Sequence, residues 1–286
     1  MAGTLFIVST PIGNLEDISQ RALRILREVD AIACEDTRHT RKLLNHFGID
    51  AETISYHEHN EAERANELCE LLAAGKNVAL VSDAGTPLVS DPGFRLVNAA
   101  IEKGINIVPI PGATAIVAAL SASGLPSDQF LFTGFLPART NARKSKLEEL
   151  RGLNATLIFY EAPHRIAATL QDARDVLGNR KAVVARELTK LHEEFVRGTL
   201  NELTEAFADP LKARGEIVLL ISGASPDESE NGPQKSMENS FAGRIAELQQ
   251  EGLDEKAALK KTARELGLKR DEAYRMLVAQ KNRHSR

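Results

Sequence analysis

The chain has 286 residues, 43% apolar and 27% charged, with a formal net charge of −4. Such a composition suits a globular protein with a sizeable core and room for more than one domain. No apolar run approaches the roughly 20 residues of a membrane span. The first ten residues lack the basic stretch of a signal peptide, and two cysteines, Cys34 and Cys69, are too few for a disulfide framework or zinc knuckle. A reducing, cytoplasmic setting is expected.

In chain order, Leu5-Phe6-Ile7-Val8 reads as a buried strand. Ser19 is placed to cap a helix carrying Ala22, Leu23, Ile25 and Leu26 on one face. Ala31 to Cys34 reads as a second strand, and Leu43, Leu44 and Phe47 as a helix that Gly48 stops. Helix is expected over 60–74, then strands at Val78 to Val81 and Ile105 to Val108. This βαβ rhythm predicts a largely parallel sheet covered on both faces. After Pro111 the rhythm restarts, with a helix over 114–123. Strands follow at Phe130 to Phe132, Thr156 to Tyr160, Ala182 to Ala185, Glu194 to Val196 and Ile217 to Ile221. The expected organisation is α/β, with domains over 1–112 and 113–223, a Ser-, Pro- and Gly-rich linker over 224–240, and a helical module over 241–286. That module has helical patterns at 241–250, 255–266 and 271–280. It holds eleven Lys and Arg against seven Asp and Glu, a net +4 that leaves −8 on the first 240 residues. A basic segment on an acidic body suits either an RNA-facing module or a solvated helical face.

Three loops follow strands and carry glycine and proline: Ser9-Thr10-Pro11-Ile12-Gly13-Asn14-Leu15, Val81-Ser82-Asp83-Ala84-Gly85-Thr86-Pro87 with Ser90-Asp91-Pro92-Gly93, and Pro109-Ile110-Pro111-Gly112-Ala113-Thr114. Ligands of α/β proteins bind at the carboxyl ends of strands, so all three loops can face one crevice. Asp83 and Asp91 can meet a ribose hydroxyl or a cationic group. Neither a GxGxxG fingerprint nor a Walker phosphate loop is present, which argues against the usual nucleotide folds.

These loops, with Glu35-Asp36-Thr37-Arg38-His39-Thr40, Phe159-Tyr160-Glu161-Ala162-Pro163-His164-Arg165 and Arg186-Glu187-Leu188-Thr189-Lys190, resemble the tetrapyrrole-methylase superfamily. Within it the chain is similar to the ribosomal RNA small-subunit methyltransferase I family along its whole length. Where many tetrapyrrole enzymes have Gly-Asp-Pro, this chain has Ser82-Asp83-Ala84. That departure points to the RNA branch.

The resemblance implies two α/β domains of tetrapyrrole-methylase type with S-adenosyl-L-methionine in the cleft between them, and a small C-terminal helical module. It implies 2'-O-methylation of the ribose of a cytidine of 16S rRNA, position 1402 by ribosomal convention, and a homodimer whose partner is 16S rRNA or the small subunit. Carried over by position, Pro11, Asp83, Ala84, Gly85, Pro87, Ser121, Ala122, Tyr160, Glu161, Leu188, Glu216 and Ile217 should line the cofactor site. For Tyr160 and Leu188, ordinary core packing is the competing expectation. A methyltransferase for a small tetrapyrrole-like substrate, and a non-catalytic ribosome-assembly factor, are the rival readings.

A ribose hydroxyl is a weak nucleophile, so a base or a cation beside it should help. Candidates are Glu35, Asp36, Arg38, His39, His57, His59, Glu161 and Glu187. The pair Glu35-Asp36 with Arg38 is favoured, because it ends a strand at the edge where the loops lie. Capping of the following helix is the alternative. His57 and His59 lack a third ligand at fixed spacing, so no metal is expected. RNA binding requires phosphate neutralisation. Arg139, Arg143, Lys144 and Lys146 form a basic run without acids, suited to RNA contact or to a solvated helix face. Aromatic residues are few, which favours recognition through backbone and shape.

Overall fold

The computed structural model describes residues 2–209, 214–224 and 254–265, with short pieces at 244–245 and 248–249. The first five strands are β1 (Thr4–Val8), β2 (Ala31–Cys34), β3 (Thr53–Ser55), β4 (Val78–Val81) and β5 (Asn106–Ile110). They form one sheet in the order β3-β2-β4-β1-β5, with every pairing parallel. Alternate residues of each strand point to opposite faces. Val8, Ile32, Ala79 and Val81 pack under α1 (Gln20–Glu28) and α2 (Thr37–His46). Leu5, Ala33, Val78 and Leu80 pack under α3 (Glu61–Ala73) and α4 (Phe94–Glu102). Burial on both faces explains why these strands are continuous apolar runs. Ser19 caps α1 through a bond accepted from the Ala22 amide at 3.1 Å.

The second sheet contains β6 (Phe130–Phe135), β7 (Thr156–Glu161), β8 (Lys181–Arg186), β9 (Glu194–Thr199) and β10 (Ile217–Ile221), in the order β6-β7-β10-β8-β9. Only β6 and β7 run parallel; β7–β10, β10–β8 and β8–β9 are antiparallel. The reversal at β8–β9 has a simple cause. The chain there turns through a short loop with no helix, and a parallel return needs a long crossover. One face of this sheet packs on α6 (Thr140–Leu150), α7 (Ile166–Leu177) and α8 (Leu200–Ala206). The other face, with Ile158, Val183, Val218 and Leu220, receives α5 (Ala115–Ser123) together with Ile12 from the first sheet's loops. The two sheets are thus joined by an apolar seam through α5. Helix α9 (Glu255–Glu265) falls on the second helical pattern of the C-terminal segment, and the Asp254 carboxylate accepts from the Ala257 amide at 2.7 Å. Of the 241–250 pattern, positions 244–245 and 248–249 are described as helical. The 271–280 pattern and residues 225–240 of the expected linker lie outside the described residues.

Candidate functional site

Parallel strands end at one edge, so the loops after β1, β2, β3, β4 and β5 all emerge together. The loops after β1 and β4 are tied by reciprocal backbone bonds, Thr10 N–H to Gly85 O at 2.9 Å and Gly85 N–H to Thr10 O at 3.1 Å. Gly85 adopts φ +86°, a left-handed conformation that favours glycine. The Thr86 hydroxyl donates to the Ala113 carbonyl at 3.2 Å and so links the β4 loop to the β5 loop.

In the second domain, Ile217 lies opposite both Glu161 and Arg186, and Phe135 opposite Tyr160. The ends of β6, β7 and β8 and the start of β10 therefore share one edge. It faces the loops of the first domain. Between the two edges is a cavity of about 400 Å³. Ile12, Ala84–Thr86, Val89–Asp91 and Thr114–Ala115 line it from one side. Phe135, Tyr160–Pro163, Leu188 and Gly215–Val218 line it from the other. Its volume falls within the range of small-molecule sites. Tyr160 and Phe135, with ring centroids 5.7 Å apart, give the cavity an aromatic wall, and Phe132 packs edge to face against Tyr160 at 4.9 Å.

The domains also touch directly beside the cavity. The Asn14 amide donates to Thr189 Oγ1 at 3.0 Å. At Gly13 a Cβ would lie 2.5 Å from Lys190 Cγ, 2.8 Å from Thr189 Oγ1 and 3.0 Å from the Leu188 carbonyl. Glycine permits this approach. The facing loop holds Glu187 and Thr189 at positive φ, 51° and 64°. The Glu187 carboxylate accepts from the Glu216 amide at 3.0 Å and from Lys190 Nζ at 3.1 Å, which fixes that loop against the start of β10.

Of the residues expected around a cofactor, Ala84, Gly85, Tyr160, Glu161, Leu188, Glu216 and Ile217 line the cavity. Pro11, Asp83 and Pro87 are the chain neighbours of lining residues and do not themselves line it. Ser121 and Ala122 stand apart, exposed on the last turn of α5. The carbonyls of Ala122 and Ser123 are capped by the Arg197 guanidinium of β9 at 2.6 and 3.2 Å, a helix-end role. Ile12, Val89, Thr114, Phe135 and Val218 line the cavity without having been singled out. Of the two strand-end aspartates that can meet a ribose hydroxyl or a cation, Asp91 lines the cavity and Asp83 does not.

Asp36 caps α2. Its carboxylate accepts from the Arg38 amide at 2.8 Å and from the Arg38 guanidinium at 2.8 and 3.1 Å. These bonds hold its carboxyl below the usual carboxylate range. The Asp36–Arg38 half of the favoured catalytic group is thus a paired helix start outside the cavity, as a cap requires. Glu35 is exposed at the end of β2 and also does not line the cavity. The Asp83 carboxylate accepts from the Asp36 amide at 3.3 Å and bridges the β4 and β2 loops. Asp91 is pushed up to about 6, by burial first and then by the charges of Glu35 and Asp83, against a hydrogen bond from Ser82. Burial, with Asp91 and Glu216 nearby, pushes Tyr160 up to about 12. The Glu161 carboxylate turns away into the second domain. There it accepts from the Thr169 hydroxyl at 2.6 Å and pairs with Arg165 at 3.1 Å.

The basic run is not acid-free in space. The Arg143 side chain is 3% exposed and pairs with Asp172 of α7 at 2.6 Å. It braces α6 against α7 and cannot meet a phosphate. Lys144 pairs with Asp175 at 2.9 Å and Lys146 with Glu149 at 2.9 Å, both partly exposed. Arg139 is exposed at the start of α6. His57 and His59 lie after β3, with ring centroids 5.9 Å apart. Among the described residues no group of three or more His, Cys, Asp or Glu could hold a metal ion.

A family model described as tetrapyrrole (corrin/porphyrin) methylases matches residues 4–204. A "Ribosomal RNA small subunit methyltransferase I" of Haemophilus influenzae is 47% identical over 98% of this chain and 98% of its own. The chain belongs to the ribosomal RNA small subunit methyltransferase I family of tetrapyrrole methylases. A relative of the same description from Pseudomonas aeruginosa is 54% identical, covering 80% of this chain and 82% of its own. Among solved structures, a uroporphyrin-III C-methyltransferase of Thermus thermophilus in complex with S-adenosyl homocysteine superposes with a TM-score of 0.54 at 19% identity. That superposition covers 77% of this chain and 97% of the other. At such identity the likeness concerns the fold, and the tetrapyrrole-methylase fold is the two-sheet arrangement described above. Among the described residues, no helix is long and apolar enough to cross a membrane.

Proposed function

We propose that the chain is an S-adenosylmethionine-dependent methyltransferase that methylates the ribose 2'-hydroxyl of a cytidine in 16S rRNA, position 1402 by ribosomal convention. The observation that carries this reading is the cavity between the facing edges of the two sheets, in a chain that matches rRNA small subunit methyltransferases I over nearly its full length. The residues present fit the cofactor. Ile12, Leu188 and Val218 offer apolar walls for an adenine. The exposed Glu216 carboxylate at the cavity rim suits an ammonium. When bound, the cofactor supplies an electrophilic methyl group for in-line displacement. The chain's own task is positioning: the paired edges exclude water and hold the reacting atoms within roughly 3 Å.

Arg139, Lys144 and Lys146 are the proposed contacts to RNA phosphates, with Arg139 the most open of the three. The reading extends to a homodimer in the cytoplasm. Phe94, Ile101, Val117 and Phe130 are large apolar side chains left exposed outside the cavity, as a subunit interface would leave them. The test is incubation of the full chain with methyl-labelled cofactor and small ribosomal subunits that lack the modification. Label on 16S rRNA is expected. Transfer to a porphyrin and none to RNA would favour the tetrapyrrole branch.

A further inference from the structure

Among the described residues three carboxylates line the cavity, and two are engaged elsewhere. Glu161 is held by Thr169, Arg165 and the Ala162 amide. Glu216 has a side chain 76% exposed and pairs with Lys190 at 3.2 Å. The third, Asp91, is partly buried, and no Lys or Arg pairs with it among the described residues. The groups acting on it are the Ser82 hydroxyl and the Asp83 carboxylate at the end of β4, the Glu35 carboxylate at the end of β2, and the Tyr160 ring across the cleft at the end of β7, itself faced by Glu216.

The strand order locates Asp91 further. The loops after β1, β4 and β5 are adjacent, and β2 and β3 lie on the opposite side of β4. Asp91 lies in the loop after β4, the strand that pairs with β2, and the Glu35 charge at the β2 end acts on it. Glu35, Arg38 and His39 are exposed there, so that rim is open to a large substrate. Leu88 and Ser90 hold positive φ, 71° and 66°, and Pro92 follows directly, so the loop that presents Asp91 has little conformational freedom.

Resting on the ribose-methylation reading above, we propose that Asp91 is the group that accepts the 2'-hydroxyl proton during methyl transfer. As the 2'-oxygen bonds to the methyl carbon, the carbon–sulfur bond breaks and its electron pair stays on sulfur. The hydroxyl proton passes to the Asp91 carboxylate, and a neutral thioether remains. An ordinary carboxylate is a poor base for a hydroxyl. One pushed up to about 6 is a better base and still ionised at neutral pH. The same charge lies beside the cavity that would hold the sulfonium, so electrostatic binding is the competing role.

The test compares wild type with Asp91→Asn as full chains. Methyl transfer to unmodified small subunits is measured in single turnover at saturating cofactor, and S-adenosylhomocysteine binding by calorimetry. The thioether is neutral at sulfur, so its affinity in D91N should stay within about threefold of wild type, which also shows the variant folded. The transfer rate should fall about 100-fold or more. In wild type the rate should rise about tenfold per pH unit below about 6 and level off above it. A wild-type enzyme that labels no ribosomal RNA overturns the functional reading and this proposal together. Active wild type with D91N within threefold of its rate overturns Asp91 alone. If D91N fails to bind the thioether, the wild-type pH profile decides, and a flat rate between pH 5 and 7 overturns the assignment.

Discussion

Replacing Gly13 by alanine puts one methyl group into the place where the two domains touch. The new Cβ would sit 2.5 Å from Lys190 Cγ and 3.0 Å from the Leu188 carbonyl, when carbon and oxygen need well over 3 Å. Lys190 can yield only in part, because its ammonium is tied to Glu187 and Glu216. The Leu188 carbonyl is backbone in a loop whose positive φ values leave it few alternatives. The loops must therefore separate by several tenths of an ångström. Overpacking of this kind costs about 1–3 kcal/mol, and the Asn14–Thr189 bond at risk adds about 1 kcal/mol. Ile12 and Leu188 flank this contact and face each other across the cavity, so the strain falls on the ligand site. Calorimetry with S-adenosylhomocysteine should show affinity reduced about 10- to 100-fold, the equivalent of about 1.4–2.8 kcal/mol. Lys190→Ala removes the nearest atom, so the G13A/K190A pair should lose less than the two single losses combined. Affinity for G13A within twofold of wild type would refute the idea that this contact sets the width of the cleft.

Other expectations follow from the same geometry. Arg143→Ala removes the buried partner of Asp172 and leaves it only the partly exposed Lys144 at 3.5 Å; the melting temperature should fall by about 6–20 °C, from a cost of about 3–5 kcal/mol, and a melt within 2 °C of wild type contradicts the buried pairing. Arg139→Ala should leave the melt unchanged and weaken RNA binding, with a salt dependence shallower by about one phosphate contact in a filter-binding titration. For Asp91 the folded pKa lies above the ordinary value, so the native state binds the proton more tightly. That stabilisation is present below about pH 4 and lost as pH rises through about 6. D91N should therefore melt above wild type at pH 8, with the gap closing towards pH 4. A gap that stays constant across that range contradicts the assigned environment.

Strands β2, β4 and β10 match the sequence reading end to end, because each is buried on both faces and so appears as an unbroken apolar run. β3 escaped it. Its three residues are only partly buried at a sheet edge, and Thr53-Ile54-Ser55 has no apolar pattern to detect. Helix α4 was hidden by the Gly-Pro loop before it, and α8 by its brevity. The loops that line the cavity were legible because strand order in a parallel sheet brings their ends together. Asp36 and Arg143 show the limit of that method. Acids after a strand suit both a cap and an active site, and the acids that neutralise Arg143 and Lys144 lie about 30 residues further along the chain. Composition within a window cannot see a partner brought in by packing of α7 on α6.

The most direct measurement is nucleoside mass spectrometry of 16S rRNA from unmodified small subunits treated with the protein and methyl-labelled cofactor. The account predicts labelled 2'-O-methylcytidine, with the label on the ribose fragment. Label on a base, or none on RNA, would contradict it.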